Sequence, residues 1–429
     1  MAAEEENKIN VLVIGSGGRE HAILWSLKKS PLLSELYVLP GSDAMKDLAT
    51  QIDTNINNSI NVIKACKDRD IKLVVIGPEE YIINGLGDVL KEEGIYVFAP
   101  SKAAAKLESS KSFTKELCKQ YGIPTAEYGY FVNINEAKQF VDKMKKPVVV
   151  KADGLTSGKG AIVCKTIEEA YAAIDLILVQ KKFGIAGESI IIEEFLEGEE
   201  VSFFTFVDET NFVILGSAQD YKTVNENNEG VNTGGMGAYS PVSVVTEEVR
   251  HQIIKQVIYP TIHAMKEIGR PFTGILFAGL MITKTGPKLL EYNVRFGDPE
   301  TQAILPRLES DLLEFIWLTA KGELGTEQIQ FNKDATVCVV VASKGYPDEY
   351  QKNSIIRGLD KIEKLPDILV FHAGTKLDIN NNWISNGGRV LNIVARGKNI
   401  EEARYKAYAA LDMLDWPEGF FRYDIAKRS

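Results

Sequence analysis

The chain is short of the residues that build redox and transition-metal centres. Its 429 residues include four cysteines and four histidines. Cys66, Cys118, Cys164 and Cys338 lie far apart and form no CxxC pair. That argues against a disulfide framework or a zinc site, and for a reducing compartment with the thiols as small core residues. The few histidines leave a His-based metal or nucleophile site poorly supplied: His21 is expected to pack or cap, and His251, His263 and His372 receive no role. No apolar run approaches the roughly 18 residues of a membrane span. The start, Met1-Ala-Ala-Glu-Glu-Glu6, is acidic and lacks an apolar stretch, so it reads as neither secretory signal nor transit peptide, and a cytoplasmic location is expected. Low-complexity tracts and solenoid repeats are missing too.

Positive charge is in deficit: 49 basic against 59 acidic residues give a net charge of −10. This disfavours a nucleic-acid surface while leaving room for a local basic pocket that holds a small anion. What remains is ordinary for a soluble globular chain, 45% hydrophobic and 25% charged. At roughly 100–200 residues per domain, the length suggests about two to four domains.

Apolar runs at 9–14, 36–39, 71–76 and 95–99 alternate with helix formers and end in Gly or Pro. Such runs predict buried parallel strands in a βαβ series, whose ligands sit beyond the carboxyl ends of the strands. Residues 101–121 read as one helix closed by Tyr121-Gly-Ile-Pro124. Strand and helix signals follow through 196, with a capping box at Thr166-Ile-Glu-Glu169. A long helix is expected over 246–268, strands over 275–282 and 288–294, and a further α+β unit from about 330 with strands at 337–342, 369–371 and 390–395 and a helix from 400 to about 414.

Five stretches carry chemistry. Gly15-Ser16-Gly17-Gly18-Arg19-Glu20 places glycines between a strand and a helix, where backbone N–H groups can meet an anion. Glu20 stands where a dinucleotide fingerprint needs its third glycine, so a phosphate of another kind, or a plain tight turn, fits better than NAD. Val148-Val-Val-Lys151-Ala-Asp-Gly154-Leu-Thr-Ser-Gly158-Lys159-Gly160 pairs a strand-borne lysine with a glycine flap suited to nucleotide phosphates; Gly160 rules out a Walker A loop. Glu193-Glu194-Phe195-Leu196 and Glu199-Glu200 end an apolar run in acids, either as a solvated loop or as a hinge whose backbone reads an adenine edge. Glu291, Asn293 and Arg295 alternate onto one strand face. Carboxylate plus amide oxygen suits Mg²⁺, and the arginine could neutralise a transferring phosphoryl group; a surface Arg–Glu pair is the plainer reading. Asn232-Thr-Gly234-Gly235-Met-Gly237 could line an anion or substrate loop, or be an ordinary one.

These pieces in this order resemble the ATP-grasp ligases, and within them the phosphoribosylamine–glycine ligase family. Further matches are Gly17-Gly-Arg-Glu-His21, Ile76-Gly-Pro-Glu79, Leu107-Glu-Ser-Ser-Lys111, Ile123-Pro-Thr-Ala126, residues 295–301, Phe371-His-Ala-Gly-Thr-Lys376, Asn386-Gly-Gly-Arg389 and Phe421-Arg-Tyr-Asp-Ile425. The likeness spans essentially the whole chain.

It implies a mixed α/β and α+β multidomain protein: a doubly wound parallel sheet over 1–104, an ATP-grasp core over 105–124 and 197–328 with a lid domain inserted at 125–196, and an α+β domain over 329–429. It implies ligation of glycine to 5-phosphoribosylamine through glycyl phosphate, with ATP as co-substrate, Mg²⁺ or Mn²⁺ as metal, a monomeric state, and neither nucleic acid nor membrane as partner.

By the same resemblance, Lys111, Lys151, Gly158, Lys159 and Gly160 hold ATP phosphates. Glu193, Glu194, Phe195 and Leu196 hold the adenine, Glu200 the ribose, and Asn232 belongs to the nucleotide site. Glu291 and Asn293 hold the metal. Gly15, Ser16, Gly17, Gly18, Arg19, Glu79 and Asp220 shape the amino-acid and sugar-phosphate sites. Thr233, Gly234, Gly235, Met236, Gly237, Arg295, Gly297 and Asp298 complete them. Arg295, Lys151 and Asp220 are the catalytic candidates. Two stretches depart from the family: Pro40-Gly-Ser42-Asp43-Ala44 replaces Pro-Gly-Asn-Ala-Gly, and Gln219-Asp-Tyr-Lys-Thr223 lacks the usual His-Lys-Arg ending. No Ser–His–Asp or Cys–His set is present, which fits a reaction without covalent enzyme intermediate. Two other readings share parts of the pattern: another ATP-grasp ligase or carboxylase, and a nucleotide sensor without turnover.

Overall fold

The computed structural model describes residues 8–156 and 159–427. Its first layer is a five-stranded sheet of β1 (Ile9–Gly15), β2 (Leu33–Pro40), β3 (Thr50–Gln51), β4 (Ile71–Ile76) and β5 (Tyr96–Phe98), in the order β3-β2-β1-β4-β5. Every pairing is parallel, as the continuous apolar runs predict. The strand order reverses between β1 and β4, so their carboxyl ends open a crevice, with Gly77 N–H on Ile14 O at 3.0 Å.

The stretch 101–121 is two helices, not one. Lys106–Ser109 and Lys111–Tyr121 are separated by an extended Ser110. The cause is local: the Ser110 hydroxyl accepts the N–H of Phe113 and caps the second helix, which a helical Ser110 could not do.

A four-stranded antiparallel sheet follows, β6 (Tyr128–Phe131), β7 (Val148–Ala152), β8 (Ala161–Cys164) and β9 (Ile190–Glu194), in the order β6-β9-β7-β8. Helices Ile134–Met144 and Ile167–Ile174 cover one face through Val141, Ala170 and Ile174. The capping box at Thr166 forms as the sequence predicts.

The largest sheet has nine strands. β10 (Glu199–Asp208), β11 (Phe212–Asp220), β12 (Gly237–Ser240), β13 (Thr273–Thr283), β14 (Gly286–Asn293), β15 (Ala335–Ser343), β16 (Ile368–His372) and β19 (Arg389–Gly397) run in the order β14-β13-β10-β11-β12-β15-β19-β16, and β20 (Gly419–Phe420) pairs with β15. The β12–β15 pairing carries the sheet straight across residue 328. A hairpin of β17 (Thr375–Leu377) and β18 (Trp383–Ser385), unforeseen from the pattern, stands apart. The helix over 246–268 contains a π turn at Ile254–Ile258. It lies just before Pro260, which has no N–H to continue an α ladder.

Phe98 of the first sheet packs on Phe206 and Phe296, each 5.8 Å between ring centres, and Phe206 stacks on Phe315. This shared aromatic core fixes the crevice of the first sheet against the end of β14. None of the helices among the described residues is long and apolar enough to cross a membrane.

Candidate active site

A cleft of about 520 Å³ lies where the three sheets meet. Its lysine wall begins at Lys111, the first residue of its helix, whose Nζ donates to Gly154 O at 3.0 Å. Asp153 ties the base of the glycine flap to the same helix end, accepting from Ser112 N and Oγ at 2.7 and 2.8 Å. One turn on, Lys115 points to Glu193. That carboxylate sits between two ammonium groups, Lys115 at 3.2 Å and Lys151 at 3.0 Å. Burial pushes the Glu193 carboxyl up, but the two lysines outweigh it and hold it below the usual range.

The opposite wall is β14. Glu291 and Asn293 both line the cleft, and neither side chain makes a hydrogen bond among the described residues. Burial raises Glu291, while Lys222, Lys151, Lys111 and Arg295 more than compensate and keep it ionised. An ionised carboxylate and a free amide oxygen are hard donors that fit Mg²⁺ with water and phosphate completing the shell. No cluster of three or more His, Cys, Asp or Glu suited to a metal exists among the described residues.

Just beyond β14, Arg295 is gripped from two sides. Its Nε is 3.1 Å from Glu79 Oε2 and its Nη2 3.2 Å from Glu108 Oε1. Burial would raise Glu79, yet Arg295 and Arg19 draw it down to about 2. For Glu108 burial wins, with help from Glu79 and Glu291, and the carboxyl rises to about 7 despite Arg295. Across the cleft, burial lifts Asp220 to about 7 against the pull of Lys222. Lys222 pairs with Glu200 at 2.8 Å. Arg389, from the C-terminal part of the sheet, donates to Gly234 O and Asp298 O at 2.7 and 2.6 Å and pairs with the Asp298 carboxylate at 3.2 Å.

The cleft thus brings together most residues expected from the sequence: Arg19, Glu79, Lys111, Lys151, Gly160, the run 193–196, Glu200, Asp220, Asn232, Thr233, Gly234, Glu291, Asn293, Arg295 and Asp298. Within the run, the Glu193 side chain is spent on lysines and Glu194 faces Lys146 and Lys288. Phe195 N–H is bonded to Pro147 O at 3.0 Å.

Other expected residues lie off its surface. Gly15 abuts the Glu20 side chain, and Gly17 N–H donates to Glu20 Oε2 at 2.8 Å, so Glu20 fills the niche read as an anion loop. Ser16 is exposed, and Gly18 packs on Asn392 and Gln302. Gly235 backs onto Pro299, Met236 is fully buried, Gly237 is paired in β12, and Gly297 packs on Glu300. Lys159 Nζ donates to Pro347 O at 2.7 Å, away from the cleft, and Gly158 lies outside the described residues. The departure at Asp43 turns outward, accepting Leu377 N–H at 2.9 Å. Thr223 is bonded by Arg422, from near the end of the chain, at 2.8 Å.

Sequence reasoning missed Glu20, Lys115, Glu108, Lys222, Glu300 and Arg389. Lys115 carried a usable signal, four residues after Lys111 on one helix face. Arg389 ends the family-matching stretch Asn386-Gly-Gly-Arg389, but only the tertiary fold brings β19 to the cleft, so no role was read from it.

Family models of phosphoribosylglycinamide synthetase match the chain in three parts: the N domain over residues 9–108, the ATP-grasp (A) domain over 109–301 and the C domain over 336–428. A phosphoribosylamine–glycine ligase of Mesorhizobium japonicum is 48% identical over 97% of each chain. The chloroplastic phosphoribosylamine–glycine ligase of Arabidopsis thaliana is also 48% identical, over 96% of this chain and 78% of its own. A crystal structure of phosphoribosylamine–glycine ligase from Thermotoga maritima superposes with a TM-score of 0.85 at 32% identity, over 97% of this chain and 100% of that one. A Campylobacter jejuni biotin carboxylase shares the fold alone, with a TM-score of 0.72 at 16% identity over 97% and 93% of the two chains. With all three domain models matched in order, the chain belongs to the phosphoribosylglycinamide synthetase family.

Proposed function

We propose that this chain joins glycine to 5-phosphoribosylamine, cleaving ATP to ADP and phosphate and releasing glycinamide ribonucleotide, the second step of de novo purine biosynthesis. The observation that carries the reading is the meeting of Lys151, Glu291, Asn293 and Arg295 in one cleft. A glycine carboxylate oxygen attacks the γ-phosphorus of ATP as the bond to the ADP oxygen breaks, giving glycyl phosphate. The amine nitrogen of 5-phosphoribosylamine then attacks the carbonyl carbon, phosphate leaves with the C–O electron pair, and the amine proton passes to that phosphate or to water.

The protein's part is positioning and charge neutralisation. Lys111 and Lys151 face the phosphates, with the flap through Gly160 covering them from water. The segment 193–196 holds the adenine, Glu200 the ribose, and Asn232 steadies the flap side. Glu291 and Asn293 would hold a divalent cation, Mg²⁺ or Mn²⁺, which when bound neutralises phosphate charge. Arg295 spreads charge developing on the transferring group. Asp220, Thr233, Gly234, Arg19, Glu79 and Asp298 shape the amino-acid and sugar-phosphate ends. The reading extends to a cytoplasmic monomer, which sedimentation of the purified chain checks.

The test is ADP release with 5-phosphoribosylamine generated in situ. Glycine-dependent ADP above a Mg²⁺-free blank is expected; its absence overturns the assignment.

A further inference from the structure

Glu108 is assigned no part in the reaction above. It sits on the four-residue helix Lys106–Ser109, beside the point where β14 ends, and is buried at the margin of the cleft. Its carboxylate does two things at once. Oε2 accepts the backbone N–H of Val294 at 2.7 Å, and Oε1 lies 3.2 Å from Nη2 of Arg295. One side chain therefore fixes both the turn of the chain out of β14 and the head of the next side chain.

The remaining contacts of Arg295 are weaker constraints on its direction. Glu79 reaches only Nε, at 3.1 Å, and the Phe296 carbonyl is 3.4 Å from Nη1. An arginine has several free torsions, and a hold at Nε with one long contact at Nη1 leaves the Nη2 end of the guanidinium without a partner. A second carboxylate on Nη2 completes the hold, because the guanidinium is planar and anchoring all three of its nitrogens fixes its plane. The fixed tip then faces the same cleft as Glu291 and Asn293.

The geometry points to Glu108 as a positioning residue for the phosphoryl-transfer step, acting through Arg295 and touching no substrate. This rests on the reading that Arg295 neutralises the transferring group. Ground-state ATP is held by Lys111 and Lys151 whether or not the arginine is aimed. Loss of Glu108 therefore falls on turnover rather than on nucleotide affinity.

The full-length chain is assayed as wild type, E108Q, E108D, R295K and the double variant E108Q/R295K, for kcat, for KM of ATP and glycine, and for thermal midpoint. Glutamine keeps the volume and an oxygen for Val294 N–H, but turns an amide N–H₂ against the guanidinium. E108Q is expected to lose about 10–100-fold in kcat, the scale of a misaligned catalytic group, with either KM moving less than about threefold. E108D, which keeps the charge with a shorter reach, is expected to recover part of that loss, and reports alone if E108Q does not fold. The double variant is expected to be no slower than R295K, since the effect of Glu108 passes through the arginine.

Wild-type kcat in E108Q, a loss confined to KM or stability, no advantage of E108D, or a double variant in which both losses multiply would each overturn the inference. Absence of glycine-dependent ADP release by the wild type would instead remove the proposed function beneath it.

Discussion

The two walls of the cleft solve opposite problems with mirror-image arrangements. On one, a carboxylate, Glu193, is held between two lysines. On the other, a guanidinium, Arg295, is held between two carboxylates. The lysine wall has a cation to spare. If Lys151 turns from Glu193 to a phosphate, Lys115 stays behind, and the buried carboxylate is never left without a counter-charge, the situation that costs most in a protein interior. The arginine wall has an anion to spare, and Arg295 has no comparable freedom to leave. A triphosphate bound as proposed would thus be met by lysines that can exchange partners and by an arginine that cannot.

The comparison can be broken most severely at the arginine. R295M should cut kcat by about a thousandfold or more, the low end for a charge-neutralising arginine in phosphoryl transfer, while KM for ATP stays nearly constant. A rise in KM with kcat preserved would show that the arginine only binds. Removing the metal with a chelator should abolish ADP release and leave the thermal midpoint almost unmoved, because Glu291 keeps the surrounding Lys222, Lys151, Lys111 and Arg295 as counter-charges without the cation. A large drop in midpoint would mean that the cation is structural.

K115M should give the reverse kinetic signature. With Glu193 left to Lys151 alone, that lysine is less available to phosphate, and KM for ATP should rise by about tenfold, a coupling of roughly 1.4 kcal/mol, with kcat little changed. Equal falls in kcat for K115M and R295M would erase the distinction between the walls.

The smallest expected effect is in stability against pH. Glu79 has its folded-state pKa drawn from 4.5 to about 2. Its stabilising contribution is complete above pH 4.5 and fades as pH falls towards 2. Glu108 runs the other way. Its folded-state pKa is raised from 4.5 to about 7, so what it adds is complete below 4.5 and fades as pH rises to 7. Each limb is worth at most about 1.4 kcal/mol per pH unit. Denaturant titrations of E79Q should flatten the acid limb and those of E108Q the neutral one; unchanged slopes in both would dissolve the clamp.

Much of this site could be read before any coordinates. Glu291 and Asn293 share a face of β14 because strand periodicity is two, a rule that needs no tertiary knowledge; Arg295, expected on the same face, lies instead in the bend after the strand ends, so its place in the cleft does not follow from that rule. The parallel first sheet announced itself through apolar runs interrupted only by Asn10 and Lys72. The glycine loop after β1 was harder. Glycines permit an anion but do not require one from outside, and the sequence was silent on Glu20 folding back into the niche. Ser110 fell inside the single helix read over 101–121; its hydroxyl caps a second helix instead. Glu108 and Arg389 stayed invisible for a different reason. Both stand in stretches that match the family, yet no role was assigned to either, because their partners are remote in sequence, Val294 in one case and Asp298 in the other.

The pairing of β12 with β15 makes the last hundred residues more than an appendage. A chain severed near residue 328 would bare a raw β edge on its larger fragment, an invitation to aggregate, and would forfeit Arg389 from its mouth. Engineers hoping to graft this catalytic unit elsewhere, or to trim it to a minimal version, must therefore transplant it whole.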